Sequence, residues 1–240
     1  MNLSTPLPLL IRCLTGAAAL GASGPALALA QEPDVIDTGR FEIRIAAGVA
    51  GTEVFAIRSE GERITAVGRI SVVPGRGEPF RVGFTVGADF SLIQYDLRSR
   101  TENGPRIEAV PLGANRLQLT TQGARGERVK EVVAPPAILI LEDGVAHHYY
   151  FLARRVVAAN SQAGDALRVL VPGRGQVIRA TITSVSQVEA EVDGVSRPAV
   201  RIDLTIGGEE HSVWASQDGS RLIRVLNRST GWEARRLSEG

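Results

Sequence analysis

The residues of this sequence best suited to chemistry are its three histidines and the acidic residues near them. His147 and His148 are adjacent, Glu142 and Asp143 precede them closely, and His211 follows further along the chain. Imidazole and carboxylate groups are common ligands of zinc and other transition metals. Adjacent residues of a helix point about 100° apart, however, and the i, i+4 histidine spacing of zinc-binding helices is absent. The three histidines are therefore weak metal candidates, and the sequence predicts no metal and no other cofactor.

Two motifs bear on hydrolytic chemistry. Asp37-Thr38-Gly39 matches the triplet of aspartic proteases, but that reaction needs two carboxylates that share a proton. The sequence has no second triplet of this kind, and the position of the first favours a turn that leads into a strand. The Gly-x-Ser-x-Gly motif of serine hydrolases is absent. The sequence thus indicates no catalytic residue, and a hydrolase is the least favoured of the functional alternatives.

The elements that must position these residues are mainly strands. Alternating apolar and polar residues, typical of strands that bury one face of a sheet, run through nearly all of the chain after Arg40. Clear examples lie at residues 41–45, 93–98, 117–119 and 200–204. Turn residues separate the runs at short intervals. The pattern predicts an all-β fold, a curved antiparallel sheet or open barrel of about thirteen strands, in one domain over residues 40–240.

A pentapeptide occurs twice, as Val73-Pro74-Gly75-Arg76-Gly77 and as Val171-Pro172-Gly173-Arg174-Gly175. Proline sets φ for the first central position of a type II turn, and glycine tolerates the positive φ of the second. Both copies therefore predict type II turns. The copies reflect either an internal duplication or the repeated use of a good turn sequence. The second explanation is favoured because the flanking sequences do not otherwise align.

One segment departs from the strand pattern. Between residues 144 and 159, apolar residues recur at helical spacing on one face, at Val145, Tyr149, Leu152, Val156 and Ala159. Asp143 is the predicted N-cap, because its carboxylate can accept free amides of the first turn. Asn160 is predicted to close the helix. We expect one amphipathic helix near residues 144–159, packed on the sheet.

The first thirty residues predict a secretory signal peptide. Arg12 precedes an apolar run, Pro25 ends that run, and Ala28-Leu29-Ala30 forms a small-x-small cleavage site. Cleavage after Ala30 would remove Cys13, the single cysteine of the sequence. The mature chain would then have neither disulfide nor thiol chemistry. We expect export to the periplasm or the extracellular medium, with residues 31–39 leading into the β domain.

The charge and hydropathy of the chain limit its partners. It carries 27 basic and 26 acidic residues, with no block of basic residues. Nucleic-acid binding needs a basic face that displaces counterions, so this class of partner is not predicted. A transmembrane helix needs about 20 consecutive apolar residues, and no such run is present. The sequence therefore predicts no nucleic-acid partner and no transmembrane segment in the mature chain.

Several segments carry a family resemblance. These are Gly51-Thr52-Glu53-Val54-Phe55-Ala56-Ile57, Val213-Trp214-Ala215, Asp218-Gly219 and Leu222-Ile223-Arg224-Val225. With them, the chain resembles exported bacterial β-rich proteins of unknown function allied to the lipoprotein-carrier (Lol-type) superfamily. The resemblance is topological and extends over about residues 40–238. It implies a strongly curved antiparallel sheet wrapped around one or more helices, with an apolar ligand or acyl chains held between them.

The sequence as a whole favours a non-catalytic binding protein that holds a lipid or other apolar small molecule in the concavity of its sheet. The predicted walls are Phe55, Ile57, Phe84, Tyr95, Leu97 and Trp214, with Tyr149 and Leu152 on a helical lid. The alternative is a structural or protein-interaction module of the cell envelope, with an envelope protein as its partner. A closed apolar cavity would favour the binding protein, and an exposed apolar patch or strand edge would favour the interaction module.

Overall fold

The computed structural model describes residues 33–238, except residues 47, 76, 102–103, 125 and 193. This part of the chain forms one sheet of fifteen strands and one α-helix. The predicted signal peptide and its cleavage site lie outside the described residues. Within the described part, no helix has the length and apolar character needed to cross a bilayer.

The strands follow the chain in two runs. The first run comprises β1 (Asp34–Ile45), β2 (Gly48–Glu60), β3 (Arg63–Val72), β4 (Phe80–Gly87), β5 (Leu92–Ser99), β6 (Arg106–Pro111), β7 (Arg116–Gly123) and β8 (Gly126–Val133). After it come β9 (Leu139–Ile140), α1 (His148–Ala158), β10 (Ala166–Val171), β11 (Gln176–Val192), β12 (Val195–Ile206), β13 (Glu209–Ser216), β14 (Leu222–Asn227) and β15 (Trp232–Leu237). The all-β prediction is confirmed, with fifteen strands in place of about thirteen. The two-residue β9 is buried at both positions, so no alternation could reveal it.

Strands that follow each other in the two runs pair antiparallel, in agreement with the predicted antiparallel sheet. The sheet order runs from β8 down to β1, continues through β15, and then descends to β9. The two runs therefore meet where β1 pairs with β15. The parallel pair of β9 and β10 is the exception. Because β1 begins at Asp34, residues 34–39 belong to the sheet and not to the predicted lead-in.

The two ends of the sheet approach each other. A 3₁₀ turn at Pro172–Arg174 follows β10, and the ammonium group of Lys130 in β8 donates a hydrogen bond to the carbonyl oxygen of Gly175 at 2.9 Å. A Cβ atom on Gly175 would lie 3.3 Å from the side chain of Leu119 in β7. Leu119 belongs to the main core, so the β10 end of the sheet reaches the inner side of the β7–β8 end. The sheet thus curves into an open barrel.

Helix α1 lies within the curve of this sheet. Its residues from His148 to Ala153, and Val156, are buried, and it contacts β9, β13 and β14. The single helix of the prediction is therefore present, but it is buried around most of its circumference instead of along one face. A helix surrounded by a curved sheet has little solvent-facing surface, which explains the difference.

The helix begins later than the sequence predicts. Its first residue is His148, and the segment from Gly144 to His147 forms turns before it. Asp143 is not the N-cap, because its carboxylate accepts hydrogen bonds from the guanidinium of Arg174 at 2.8 and 2.9 Å. The C-terminal prediction is correct: Asn160 takes a positive φ of 49° just after the helix.

The two copies of the pentapeptide adopt different conformations. Gly75 has a φ of +85°, as the second central position of a type II turn requires. The second copy instead forms the 3₁₀ turn, with Gly175 left-handed at φ 59°. The N–H group of Gly173 donates to Oε2 of Glu142 at 2.8 Å, and a Cβ atom there would meet Oε1 of Glu142 at 2.5 Å. A tertiary contact therefore decides the second turn, and the type II prediction for it is wrong.

The triplet Asp37-Thr38-Gly39 lies in β1 and not in a turn. The carboxylate of Asp37 accepts two hydrogen bonds from the guanidinium of Arg236 in β15, at 2.8 and 3.0 Å. Their side chains are 7% and 5% exposed. The guanidinium also donates to the carbonyl oxygen of Thr38, and a Cβ atom on Gly39 would lie 2.8 Å from its terminal nitrogen. The triplet therefore binds the guanidinium of Arg236, and this contact links β1 of the first run to β15 of the second.

Replacement of Asp37 by alanine tests the seam between the two runs of strands, where β1 pairs with β15. The substitution leaves the buried guanidinium of Arg236 without its carboxylate, so we expect the free energy of unfolding to fall by about 3–5 kcal/mol. Urea unfolding followed by circular dichroism measures the change. Asp34→Ala is the matched control, because Asp34 is exposed at the start of the same strand. An equal effect of the two substitutions would contradict this role for Asp37.

Candidate functional site

A buried carboxylate holds the start of α1. Glu53 of β2 is fully buried. Its Oε2 accepts the N–H of Ala146 at 2.7 Å, and its Oε1 accepts the N–H of His147 at 2.9 Å. A buried charge is costly unless it is hydrogen-bonded, and the positive end of a helix dipole favours a carboxylate. Glu53 therefore caps the helix from a distant strand, in the role that the sequence assigned to Asp143.

The side chain of His147 packs beside this carboxylate. Its Nδ1 lies 2.7 Å from Oε1 of Glu53, and because an ionised carboxylate only accepts, Nδ1 carries the proton. The ring stacks between Phe55 and Phe84, with centroid distances of 6.0 and 6.3 Å. Gly68 leaves room for it, since a Cβ atom there would lie 2.5 Å from Cε1 of the ring. His147 is fully buried.

His148 makes a different contact. Its Nδ1 accepts the backbone N–H of Glu142 at 3.0 Å, which places the ring proton on Nε2. Burial, and next the charge of neighbouring His147, hold the pKa of His148 well below the usual histidine value. The Nε2 atoms of both histidines are buried and have no hydrogen-bond partner within the described residues. Each of these two rings is therefore held by a contact at one nitrogen, Nδ1.

Glu142 ties the chain before α1 to the sheet. Its Oε2 accepts the O–H of Tyr95 at 3.0 Å and the N–H of Gly173 at 2.8 Å. Burial raises the pKa of Glu142, while the bonds from Gly173 and Tyr95 act in the opposite direction. Burial and the nearby Glu142 carboxylate raise the pKa of Tyr95. Three donors, including the N–H of Asp143 at 3.2 Å, thus surround this carboxyl group.

His211 belongs to a separate polar contact. Its Nδ1 lies 3.0 Å from the hydroxyl of Tyr149, and its Nε2 lies 3.8 Å from a carboxylate oxygen of Glu209. Burial lowers the pKa of His211 and raises that of Tyr149. The three histidines therefore do not converge on one point. In the part of the chain that the structure describes, no group of three or more such side chains is placed to hold a metal ion.

The predicted wall residues separate into two places. Seven of them belong to the main core: Phe55, Ile57, Phe84, Tyr95, Leu97, Tyr149 and Leu152. Each is 6% exposed or less, and together they fill the space between the sheet and α1. Trp214 is not with them. Its neighbours Val213 and Ala215 face the main core, so its side chain lies on the outer face of the sheet.

A second apolar cluster surrounds Trp214 on that outer face. It contains Val192, Ala199 and Ile223, with Val188, Ala190 and Trp214 packed against them. Between the end of the β11–β12 hairpin and strands β13 to β15 lies a cleft of about 370 Å³. We call it the Trp214 cleft; its side chains include Glu189, Ala190, Glu191, Trp214, Ile223, Arg224 and Arg235. The cleft combines an apolar floor with charged walls.

Arginines flank Trp214 in a row across four strands. Arg201, Trp214, Arg224 and Arg235 lie opposite one another in the register of β12 to β15. The guanidinium carbons of Arg201 and Arg224 lie 5.3 and 4.6 Å from the indole centroid, within cation–π range. The Nε groups of Arg224 and Arg235 both donate to Oε1 of Glu233 at 2.6 Å. The sequence does not reveal this row, because the row forms only through the strand register.

Comparison with known proteins gives one informative likeness. No family model matches the chain, and no curated protein matches it. Among solved structures, a β-barrel-like protein of the domain of unknown function DUF1849 from Brucella abortus has a similar fold, with a TM-score of 0.54 and 11% sequence identity. The match covers 83% of this chain and 93% of that one. The two proteins share a fold.

This likeness supports part of the family resemblance. A β-rich, barrel-like fold of unknown function agrees with the architecture that the sequence predicts. At this level of identity the likeness shows the fold alone. The alliance with lipoprotein carriers, and the apolar ligand that it implies, stay predictions.

Substitution of Gly68 tests the packing of His147. In Gly68→Ala the new methyl group would lie 2.5 Å from Cε1 of the imidazole ring, so the ring must shift and its contact with Glu53 is disturbed. We expect a loss of about 1–3 kcal/mol in the free energy of unfolding. Gly83→Ala is the control, since a Cβ atom there meets its nearest neighbour at an ordinary 3.5 Å. Equal unfolding curves for the two variants would show that the His147 ring is not held in this position.

The pH dependence of stability tests His148. Its pKa is lower in the folded chain than the usual 6.5, so below that pH the unfolded chain binds more protons and stability falls. His211 acts in the same direction, whereas the raised pKa of Glu142 has the opposite effect. We expect urea midpoints to decrease from pH 7 to pH 5. In His148→Gln, whose amide oxygen can accept the N–H of Glu142, this decrease should be smaller. Parallel curves for the two proteins would contradict the assignment.

Proposed function

We propose that this protein is a non-catalytic binding module of the bacterial cell envelope that docks a partner protein at the Trp214 cleft. The observation that carries the proposal is an accessible tryptophan between arginines, above an apolar floor. Tryptophan and arginine are enriched among the residues that dominate binding energy at protein interfaces. A cleft of about 370 Å³ gives an inserted side chain a place to bury.

The packing of the interior supports this choice of face. The concavity of the sheet contains α1 and the core side chains, which include most of the predicted wall residues. The bonds of Glu53 and Glu142 hold the start of the helix and the chain before it. An apolar ligand within the concavity would therefore have to displace α1 and break these bonds. Docking on the outer face needs no such change.

An apolar small molecule or lipid is the second candidate ligand. A groove of about 500 Å³ runs beside the C-terminal end of α1 and favours this alternative. Its apolar side chains include Val156, Val157, Val185 and Val200, and its polar side chains include Thr183, Ser184, Gln187 and Gln217. This mixture of polar and apolar groups suits a lipid less well than a dry apolar pocket does. We therefore place this candidate second.

The proposed location rests on the sequence. The predicted signal peptide and cleavage after Ala30 would deliver the protein to the periplasm or the medium. The binding partner that we propose is therefore an envelope protein. The barrel-like fold shared with the Brucella abortus protein is compatible with a binding module.

Trp214→Ala tests the docking face. The substitution removes the indole from the centre of the cleft, so we expect crosslinking of tagged protein in intact cells to yield at least about tenfold less of its main partner. Arg81→Ala is the control, because Arg81 is exposed on β4 in the other run of strands. Thermal melting of both variants confirms that they fold. Equal recovery of the partner by the two variants would contradict docking at this cleft.

Native mass spectrometry tests the second candidate. If the outer face is the binding site, protein purified without detergent should carry no bound lipid mass. A co-purified apolar molecule, retained by Trp214→Ala and lost when Val157→Asp places a charge in the groove, would instead support lipid binding there. That result would overturn the proposed docking function if partner capture were also unaffected by Trp214→Ala.

A further inference from the structure

We infer that the Trp214 cleft recognises a peptide segment that presents a carboxylate beside an apolar side chain. This inference rests on the proposed docking function and specifies the chemistry of the partner. Three features of the cleft support it: a pair of arginines with unused donors, an apolar floor beside them, and an acidic wall opposite.

The arginine pair is the first feature. Arg224 and Arg235 lie directly opposite each other in adjacent strands, and like charges in this arrangement destabilise a sheet. They share Glu233 as an acceptor, each through its Nε group. One carboxylate between two guanidinium groups leaves an excess of positive charge on this wall of the cleft. A second carboxylate, supplied by a ligand, would balance it.

The terminal amino groups of these arginines are suited to that carboxylate. A guanidinium has five N–H donors in a planar fork that matches the two oxygens of a carboxylate. Within the described residues, the Nε bonds to Glu233 are the hydrogen bonds that Arg224 and Arg235 make. Their terminal groups therefore remain available at the edge of the cleft. The contact of Arg224 with the Trp214 ring holds its guanidinium in place.

The floor of the cleft supplies the apolar part of the site. Ile223 and Trp214 belong to the outer apolar cluster, and Arg224 follows Ile223 in β14. An apolar side chain placed on Ile223 would therefore lie within a few ångströms of the arginine pair. The carboxylate and the apolar group of the ligand must lie on the same face of one chain, as the side chains of residues i and i+2 do in an extended peptide.

The opposite wall discriminates against simple anions. Glu189 and Glu191 line the cleft from the β11–β12 hairpin. Glu189 accepts a hydrogen bond from Ser196 at 2.9 Å, and among the described residues no ion pair joins either carboxylate to an arginine. Phosphate or an anionic membrane surface would meet this negative wall. A peptide can instead direct backbone N–H groups or a basic side chain toward it, so the two walls together favour a peptide.

Fluorescence anisotropy with matched peptides tests the inference. The probe is a labelled, amidated Gly-Leu-Gly-Glu-Gly peptide, in which leucine and glutamate share one face when the chain is extended, and its control contains glutamine in place of glutamate. We expect the purified protein to bind the glutamate peptide at least about tenfold more tightly, since charge-assisted bonds to arginine are lost with glutamine. Arg224→Gln or Arg235→Gln should abolish the preference, and Arg81→Gln should preserve it. Arg235→Lys, which keeps the charge but not the fork, should retain only part of it.

Each result either supports or overturns the inference. Equal affinity for the two peptides would overturn it, as would a preference that survives both glutamine variants. Stronger binding of inorganic phosphate, or of vesicles that contain anionic lipid, would show recognition of an anion and not of a peptide. If the preference is absent while partner capture still depends on Trp214, this inference alone fails. If capture is also independent of Trp214, the proposed function fails.

Discussion

The fully buried carboxylate of Glu53 is the constraint on which this structure depends. It accepts the amides of Ala146 and His147, directly before the first residue of α1, and contacts the ring of His147, so one strand residue holds the start of the helix. The cost of burying the Glu53 carboxylate away from water is offset because three donors converge on it: the N–H groups of Ala146 and His147 and Nδ1 of His147. Gly68 then has to lack a side chain, and Phe55 and Phe84 enclose the ring.

A helix held in this way occupies the interior of the sheet. The curved sheet resembles a ligand-holding cup in outline, but α1 and the core side chains occupy its interior. The bidentate pair of Asp37 and Arg236 closes the seam between the two runs of strands. The outer face near this seam carries the Trp214 cleft, where charge and apolar surface remain accessible. The interior provides rigidity, and the outer face provides the proposed function.

Local patterns predicted the architecture well, but they did not reveal the contacts between residues far apart in the sequence. Period-two alternation identified the sheet, and helical spacing identified α1, because both depend on neighbours in the sequence. The cap of α1 comes instead from Glu53, 94 residues before His147, and the second pentapeptide turn is decided by Glu142. Histidines usually lie nearer the surface, so the complete burial of His147 gave no sequence signal. The row of Arg201, Trp214, Arg224 and Arg235 arises from strand register, which composition does not reveal.

Hydrogen exchange of the amides of α1 tests most directly whether the helix is a fixed part of the core. If Glu53 and the surrounding core hold it permanently, these amides should exchange only through global unfolding, at the same free energy as the central strands β1 and β15. Addition of lipid vesicles should leave their protection unchanged. Exchange of residues 146–158 through a local opening of lower free energy, or its acceleration by lipid, would contradict this account and restore the interior as a ligand site.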